Sequence, residues 1–265
     1  MKTRQSMGTA LITGASSGIG AIYADRLAGR GYDLILVARN KERLDEVARR
    51  VSIASGRSVT TLAADLNRRT DLARVEDVLR TDESISVLVN NAGFGATAPL
   101  VESDVSRMDE MISLNVGALT RLTYAAAPGF VARGSGAIIN IASIVAIAPE
   151  VLNGVYGASK AYVLAFSQSL HHELSGKGVR VQAVLPGATA TDFWNVAGTP
   201  VQHLPAQIVM DARDMVDAAL VGFDRGELVT IPSLPDASDW QQFEDARRRL
   251  SPNLSHARPA ARYLA

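Results

Sequence analysis

The chain reads Thr-Gly-Ala-Ser-Ser-Gly-Ile-Gly from Thr13 to Gly20, directly after a short apolar run that begins at Thr9. Apolar residues then recur at helical spacing as far as Leu27, and Gly31 supplies a stop. This order predicts a strand, a glycine-rich turn and a helix. The N-terminus of such a helix binds phosphate, because its unpaired backbone N–H groups and its dipole both face the anion. Three isolated glycines could also form a generic tight turn, but the complete octet is more specific and favours a dinucleotide phosphate site.

The composition argues against several classes of partner. Lys plus Arg and Asp plus Glu each number 27 among 265 residues, so the formal net charge is zero and indicates neither nucleic acid nor an anionic membrane. There are no cysteines, which excludes disulfides and thiolate nucleophiles, and the four histidines show no metal-ligand spacing. The uncharged run 134–149 is shorter than the roughly 20 apolar residues of a spanning helix. We therefore expect a cytoplasmic protein without a metal.

Short apolar runs alternate with helical patterns along the whole chain. Further strands are predicted at 33–38, 59–63, 87–89, 136–141, 179–184 and 228–231, and helices include 41–55, a long one at 103–127 and one that ends near 174. Alternation of this kind predicts an α/β fold, with a parallel sheet, right-handed crossovers and helices on both faces. No linker divides the chain, so 1–265 is predicted to be a single domain.

Three segments are expected to lie apart from this repeating pattern. Residues 1–8 are polar and basic and are predicted to be disordered. Residues 188–214 lack clear early periodicity beside the predicted site, which is typical of a substrate lid. Residues 232–265 form a C-terminal extension, and the basic run Arg247-Arg248-Arg249 within it is interpreted as a solvated helix end.

Polar residues follow the predicted strands at their carboxyl ends, where open α/β sheets bind ligands. Arg39 follows the second strand, where an arginine suits a 2′-phosphate, so we predict NADP(H) rather than NAD(H); an exposed arginine at a helix start is the alternative. Asp65 follows the third strand, where it could accept a hydrogen bond from an adenine amino group or cap the helix that begins near Arg68. The turn Asn90-Asn91-Ala92-Gly93 follows the fourth strand.

Tyr156 and Lys160 are predicted to share one face of a helix, at positions i and i+4. The reference pKa of tyrosine is about 10, and lowering it by about 3 units needs roughly 4 kcal/mol. A fixed positive charge on Lys160 favours the phenolate. This motif of two residues is short enough to arise by chance.

Two other polar residues have alternative interpretations. Asn115, embedded among apolar residues, could be a core residue whose side chain is hydrogen-bonded, and Ser143, after the fifth strand, could be a cap or a turn residue.

Taken together, these motifs resemble the classical short-chain dehydrogenase/reductase family, and the general oxidoreductase branch within it. Ser143 precedes Tyr156 by thirteen residues, and the order of all the motifs agrees with the family. The resemblance implies a Rossmann-type, doubly wound sheet of about seven strands in a three-layer α/β/α arrangement. It also implies hydride transfer between a nicotinamide and a carbonyl or alcohol carbon.

The same resemblance implies roles for individual residues. Tyr156 is the general acid for reduction, Ser143 binds the substrate oxygen, and Asn115 holds a water molecule for a proton relay. Lys160 binds the nicotinamide ribose and lowers the tyrosine pKa. The implied cofactor contacts are Gly14, Ser16, Ser17, Gly18, Ile19, Gly20, Arg39, Asp65, Leu66, Asn90, Ala92, Gly93, Tyr156, Lys160 and Thr191. A homodimer or homotetramer joined through the helices that hold Asn115 and Tyr156 is also implied.

Two departures from the family pattern bear on function. Thr189 stands where an aliphatic residue is more usual, which affects one local nicotinamide contact. The chain also lacks the glycine-rich ending of 3-oxoacyl-carrier-protein reductases after residue 231, which argues against a role in fatty-acid synthesis.

We predict an NADPH-dependent reductase of an apolar ketone or aldehyde. Apolar residues flank the predicted site, although each could equally belong to the core: Phe94, Val145, Ile147, Val151, Phe193 and Trp194. The alternative is a non-catalytic NADP(H) sensor or scaffold on the same fold, since fold alone does not fix function. A sugar-nucleotide epimerase or dehydratase of the extended branch is disfavoured, because the chain is short and has no substantial substrate domain.

Overall fold

Seven parallel strands form one sheet in the computed structural model, which describes residues 6–264. The strands are β1 Thr9–Thr13, β2 Asp33–Ala38, β3 Val59–Ala63, β4 Ile85–Asn90, β5 Gly136–Ile141, β6 Val179–Val184 and β7 Val229–Thr230. Their order across the sheet is β3-β2-β1-β4-β5-β6-β7, and every pairing is parallel. The predicted Rossmann-type sheet of seven strands is confirmed.

Helices cover both faces of this sheet. The α-helices within residues 6–264 are α1 Gly18–Gly29, α2 Lys41–Ser55, α3 Arg69–Thr81, α4 Val105–Ile112, α5 Leu119–Ala132, α6 Gly154–Leu174, α7 Phe193–Ala197, α8 Ala212–Asp224 and α9 Ala237–Arg249. Successive strand residues point to opposite faces. Ala10 and Ile12 therefore pack with α1, α2 and α8, whereas Leu11 packs with α3, α5 and α6. Because both faces are buried, the strands are almost continuously apolar.

The strand order reverses between β1 and β4, and ligands bind at the carboxyl ends of strands at such a switch point. The two strand ends are joined there by hydrogen bonds. Thr13 Oγ1 accepts the backbone N–H groups of Asn91 and Ala92, each at 3.0 Å. Asn91 Nδ2 donates to the Thr13 carbonyl at 2.9 Å. These bonds fix the glycine-rich turn against the turn after β4.

The long helical segment predicted at 103–127 is present at 105–132, but it is not α-helical throughout. A π-helical turn, Ser113–Ala118, separates α4 from α5 and contains Asn115. Single π-helical turns inside α-helices occur frequently at functional sites. The apolar spacing of the segment does not reveal the wider turn, because the side chains on either side of it still follow a helical period. Smaller differences concern β4, which extends beyond 87–89 at both ends, and β7, which is limited to two residues.

The chain divides into two compact units, one that ends at Pro232 and one that begins at Ser233. The second unit corresponds to the predicted C-terminal extension. Within it, Asp236 caps α9 by accepting the N–H of Ser238 at 2.8 Å, and buried Glu244 pairs with Arg247 at 2.8 Å. The sequence-based boundary of one domain over 1–265 stays a prediction. Within residues 6–264, no helix combines the length and the apolar character needed to cross a membrane.

Most of the N-terminal segment predicted to be disordered lies outside the described residues, since the description begins at Ser6. The Met7 N–H donates to the Gly31 carbonyl at 3.1 Å. Ser6 Oγ donates to the Asp33 carboxylate at 2.8 Å. The described part of the segment is therefore attached to the start of β2.

The Tyr23 hydroxyl is buried without a hydrogen-bond partner among the described residues, and burial raises the pKa of this phenol. An unsatisfied buried hydroxyl costs about 1–3 kcal/mol. We therefore expect Tyr23→Phe to raise the free energy of unfolding, measured by urea denaturation, by about 1 kcal/mol. Tyr32→Phe is the control, because this phenol is only half-buried. A loss of stability in Tyr23→Phe would show that the hydroxyl has a bound partner.

Candidate active site

The turn after β1 presents the N-terminus of α1 to the crevice. Gly14 has φ +67°, and a Cβ there would lie 2.8 Å from Asn91 Nδ2. A Cβ on Gly20 would lie 2.4 Å from the Gly14 carbonyl oxygen, so both positions need glycine. Ser17 occupies the N-cap position of α1 without a side-chain capping bond, and the first turn contains no acid. The first N–H groups of α1 are therefore open to an anion.

Arg39 lies at the carboxyl end of β2 as an exposed cation, without an ion pair or side-chain hydrogen bond among the described residues. The neighbouring Asn40 caps α2 by accepting the N–H of Arg43 at 2.9 Å. Arg39 therefore has no capping role, and its guanidinium is available to bind an anion.

Asp65 is half-buried after β3, and its carboxylate accepts the Asn67 N–H at 3.1 Å. The N-cap of α3 is Arg68, so the alternative that Asp65 caps this helix is wrong. Leu66 is 5% exposed and belongs to the core. A cofactor contact at Leu66 must therefore come from its main chain.

Asn90 directs its side chain into the fold rather than into the crevice, and the implied cofactor contact at Asn90 stays a prediction. Its Nδ2 donates to Thr123 Oγ1 at 3.1 Å and to Asn140 Oδ1 at 2.9 Å, both inside the fold. Any cofactor contact at Asn90 must come from its main chain. Ala92 and Gly93 lie farther along the same turn. Thr191, distant in sequence, lies beside the glycine-rich turn, since a Cβ on Gly18 would be 3.3 Å from Thr191 Cγ2.

The four predicted catalytic residues come together at the carboxyl ends of β4 and β5. Tyr156 lies in the first turn of α6, which Asn153 caps, and its ring is 5% exposed. The Ser143 side chain is close enough to the Tyr156 phenol to lower its pKa, and its Oγ donates to the Pro186 carbonyl at 3.4 Å. Lys160 Nζ donates to the Ile141 carbonyl at 2.8 Å and lies 5.8 Å from the centroid of the Tyr156 ring. A Cβ on Gly93 would lie 2.8 Å from Asn115 Oδ1 and 3.7 Å from Lys160 Nζ, so this glycine adjoins both residues.

The electrostatics of the pair differ from the expectation that Lys160 lowers the tyrosine pKa. Burial raises the pKa of Tyr156 to about 12, and the nearby Ser143 side chain lowers it only in part. Burial also lowers the pKa of Lys160 to about 8. Desolvation penalises the charged form of each group, and the ammonium is directed at the Ile141 carbonyl. In this structure Tyr156 holds its proton, which suits a proton donor.

Asn115 is 2% exposed, and both the oxygen and the nitrogen of its side-chain amide are hydrogen-bonded inside the fold. Its Oδ1 accepts the Phe94 N–H at 3.1 Å, and its Nδ2 donates to the Phe94 carbonyl at 2.9 Å. The alternative of a satisfied buried polar residue therefore describes the side chain well. The implied water-binding role stays a prediction, and it would fall to the main chain in the π-helical turn.

Ser159 is a site residue that sequence reasoning missed. Its Oγ donates to the Tyr156 carbonyl at 2.8 Å and accepts from Asn115 Nδ2 at 3.2 Å. The serine therefore links the helix of the tyrosine to the π-helical turn. Its position three residues after Tyr156, on the same helical face, was the only signal available in the sequence.

The predicted lid, 188–214, is irregular apart from α7, two short 3₁₀ turns and the start of α8 at Ala212. A bridge between Thr189 and Met210 joins its two ends. Of the apolar residues expected near the pocket, Phe94, Val145 and Phe193 pack with Tyr156. Trp194 is buried, whereas Ile147 and Val151 are 36% and 56% exposed.

Two further residues that sequence reasoning missed contact α7. The Thr97 N–H donates to the Ala197 carbonyl at 3.0 Å, and the Arg107 guanidinium donates to the Val196 carbonyl. Neither residue belongs to a motif, so only the folded structure reveals these contacts.

Within residues 6–264, no group of three His, Asp or Glu side chains is arranged to hold a metal ion.

Comparison with known proteins relates this geometry to a family. Residues 8–200 match the family model described as short chain dehydrogenase. A short-chain dehydrogenase from Sphingobium yanoikuyae, solved in complex with NADPH, is 52% identical, with a TM-score of 0.94, over 97% of this chain and 100% of that one. A bulky-bulky ketone specific alcohol dehydrogenase from Comamonas testosteroni is 46% identical, with a TM-score of 0.91, over 98% of this chain and 100% of that one.

A curated relative matches over a shorter span. The very-long-chain 3-oxoacyl-CoA reductase of Anas platyrhynchos is 39% identical over 193 residues, which are 71% of this chain. The match spans 62% of the length of that reductase. The remaining part of the duck protein has no counterpart in this alignment.

Proposed function

The chain belongs to the short chain dehydrogenase family, whose members are oxidoreductases, and we propose that it uses NADP(H) to reduce an apolar ketone or aldehyde. One observation carries the proposal. The buried, protonated Tyr156 phenol lies near the buried Ser143 side chain and beside the Lys160 ammonium, at the end of the sheet where the glycine-rich turn also lies. A proton donor and a second hydroxyl at one point are what the reduction of a carbonyl group needs.

The residues fit a phosphorylated dinucleotide. The open N-terminus of α1 suits the pyrophosphate, and the unpaired guanidinium of Arg39 suits a 2′-phosphate. The NADPH bound to the Sphingobium relative supports this choice. Lys160 would bind the nicotinamide ribose through N–H groups not used by Ile141, since an ammonium carries three donors. When bound, the cofactor supplies the hydride.

The chain's own residues then handle the substrate oxygen. Ser143 and Tyr156 bind the carbonyl oxygen with their hydroxyl groups, which stabilises negative charge as it develops on that atom. Tyr156 gives its proton to the oxygen. Its high pKa keeps the proton in place until charge builds up on the substrate, and the Lys160 ammonium then stabilises the phenolate that remains.

For the substrate we propose a ketone with two bulky apolar groups. Phe94, Val145 and Phe193 pack around the Tyr156 ring and give the site an apolar wall. The Comamonas relative is named for bulky-bulky ketones, which supports this substrate class. A thioester substrate such as that of the duck reductase has less support, because the match spans 62% of that protein.

The direct test follows NADPH absorbance with a panel of aryl and alkyl ketones and aldehydes. We expect oxidation of NADPH with apolar ketones and a much lower rate in Tyr156→Phe. Equal rates in both proteins, or no change with any carbonyl compound, would contradict the proposal. Binding of NADPH without turnover would instead favour the sensor or scaffold. A homodimer or homotetramer and a cytoplasmic location stay predictions.

We expect Arg39→Asp to lower the preference for NADPH over NADH, measured as the ratio of kcat/KM values, by about 100-fold. The variant loses a charge-assisted contact to the 2′-phosphate and adds repulsion, together worth about 3 kcal/mol. Arg49→Asp is a matched control, because Arg49 is also exposed and lies farther along α2. Equal use of both cofactors by the unmutated protein would contradict the role of Arg39.

A further inference from the structure

Phe193 lies where the lid segment meets the candidate proton donor. The centroid of its ring is 5.6 Å from that of Tyr156, and the two rings are inclined by 45°. The backbone of Gly95 touches the same ring, since a Cβ there would lie 2.4 Å from Phe193 Cζ and 3.3 Å from Tyr156 Cε2. The Phe193 ring, the Tyr156 ring and the loop after β4 therefore meet at one point. Phe193 forms a wall directly beside the Tyr156 ring.

The start of α7 is anchored, which fixes the position of this wall. Trp194 is 8% exposed and contacts the Phe193 ring edge-on, with centroids 5.6 Å apart and planes at 88°. Trp194 Nε1 donates to the Thr189 carbonyl at 3.0 Å. Because the indole is buried and hydrogen-bonded, the Phe193 ring has a rigid neighbour on one side and Tyr156 on the other.

The end of α7 is held by two other segments. Ala197 accepts the Thr97 N–H at 3.0 Å, which binds α7 to the loop after β4. Val196 accepts from the guanidinium of Arg107, a residue of α4. Arg107 also lies 5.7 Å from the centroid of the Phe94 ring. A cation is favourable at a helix C-terminus, where carbonyl groups lack intrahelical partners. Arg107 thus joins α4, Phe94 and α7.

We propose that Phe193 determines substrate specificity by limiting the size of one ketone substituent, and that Arg107 is a positioning residue that holds Phe193 in place through Val196. The inference rests on the proposed function, because it concerns a carbonyl group bound to Tyr156 and Ser143. One of the two substituents on the carbonyl carbon lies on the side of the phenol that Phe193 occupies. An aryl substituent can pack against this ring, but its size is limited by the distance to the ring. A change of one methylene in such a pocket alters discrimination by about 10–200-fold.

The test uses acetophenone, propiophenone and benzophenone, which share one phenyl group and differ in the second substituent. In Phe193→Ala we expect the kcat/KM ratio of benzophenone to acetophenone to rise at least tenfold, and in Phe193→Trp we expect it to fall by a similar factor. Phe243→Ala is the control, since Phe243 is a 47% exposed phenylalanine in the C-terminal unit. Ratios within twofold of the unmutated value in both Phe193 variants would overturn the proposal.

Arg107→Met separates positioning from general stability, because it keeps an apolar stem but removes the donor to Val196. We expect the kcat/KM ratio of benzophenone to acetophenone to change in the same direction as in Phe193→Ala. The change should arise from the KM values rather than from the kcat values. Arg107→Lys retains a donor and should restore part of the effect. Combining Arg107→Met with Phe193→Ala should give the ratio of Phe193→Ala alone. Additive effects in the double variant would overturn the positioning role.

A binding measurement keeps this inference distinct from the proposed function. If the unmutated protein turns over none of the ketones, the proposed function fails. The dependence of ketone binding on substituent size can then be measured as the Kd value of each ketone in the presence of NADPH. Quenching of Trp194 fluorescence gives these Kd values. The chain contains two tryptophans, so the measurement uses a Trp240→Phe background. A Kd order that Phe193→Ala leaves unchanged would overturn the role of Phe193.

Discussion

Tyr156→Phe should lower kcat/KM for ketone reduction by about 1,000-fold, since a positioned general acid contributes about 10²–10⁴-fold. The substitution removes one oxygen from a ring that is 5% exposed. The packing of the ring against Phe193 and Val145 therefore remains. We expect the affinity for NADPH, measured by fluorescence titration, to change less than twofold. The loss should therefore appear in the chemical step, as an increase of about 4 kcal/mol in its barrier.

Tyr162→Phe is a matched control for this prediction. Tyr162 lies on the same helix, α6, but its phenol is hydrogen-bonded to Thr120 at 2.8 Å and is remote from the Ser143 contact. The control loses the same atom without loss of a proton donor at the site, so its kcat/KM should stay close to that of the unmutated protein. If Tyr156→Phe retained more than a tenth of the activity, another group would have to supply the proton.

The strands and the glycine-rich turn that position this site are predicted well from the sequence, because they depend on local patterns. The apolar runs of β1, β2, β3, β5 and β6 begin and end where the strands do. Each run follows a turn that contains glycine, and a doubly covered sheet buries most residues of its inner strands. The glycine-rich turn is also local, since Gly14 and Gly20 are required by contacts within one turn and its neighbour.

Features that depend on tertiary contacts could not be predicted in the same way. The sequence identifies Asn90 but gives no indication that its amide is directed at Thr123 and Asn140. Arg107 has the appearance of any exposed arginine on a helix until α7 is folded against it. The pKa values of Tyr156 and Lys160 also depend on tertiary contacts. An i, i+4 spacing shows that Tyr156 and Lys160 are neighbours, but burial decides the direction in which each pKa moves.

Lys160→Met should weaken NADPH binding about tenfold, lower kcat about 100-fold and stabilise the protein without cofactor. The first two effects follow from the proposed roles of the ammonium, which binds the ribose and stabilises the phenolate of Tyr156. The third follows from burial. Lys160 is 7% exposed, and its pKa is lowered from 10.5 to about 8, so the fold disfavours the charge that function needs. Stability is commonly lost for function at such positions.

The pH dependence of stability shows why the loss of Lys160 should stabilise the folded protein. Between about pH 8 and pH 10.5 the unfolded chain holds a proton on Lys160 that the folded chain has released, so the stability of the unmutated protein rises with pH. Below about pH 8 both states hold the proton, and the burial cost is then largest, about 3 kcal/mol. Methionine has no charge to bury. Lys160→Met should therefore be the more stable protein at pH 7 and should lack this part of the rise at higher pH.

Urea unfolding at pH 7 and pH 9.5 measures the effect of Lys160→Met on stability, and NADPH titration measures its effect on cofactor affinity. Lys177→Met is the control, because Lys177 is exposed and its loss should change neither stability nor NADPH affinity. If Lys160→Met were less stable than the unmutated protein at pH 7, the hydrogen bond from Nζ to the Ile141 carbonyl would outweigh the cost of burying the charge. If NADPH affinity were unchanged, the ammonium would act on Tyr156 alone. Because the two measurements are independent, each role of Lys160 can fail separately.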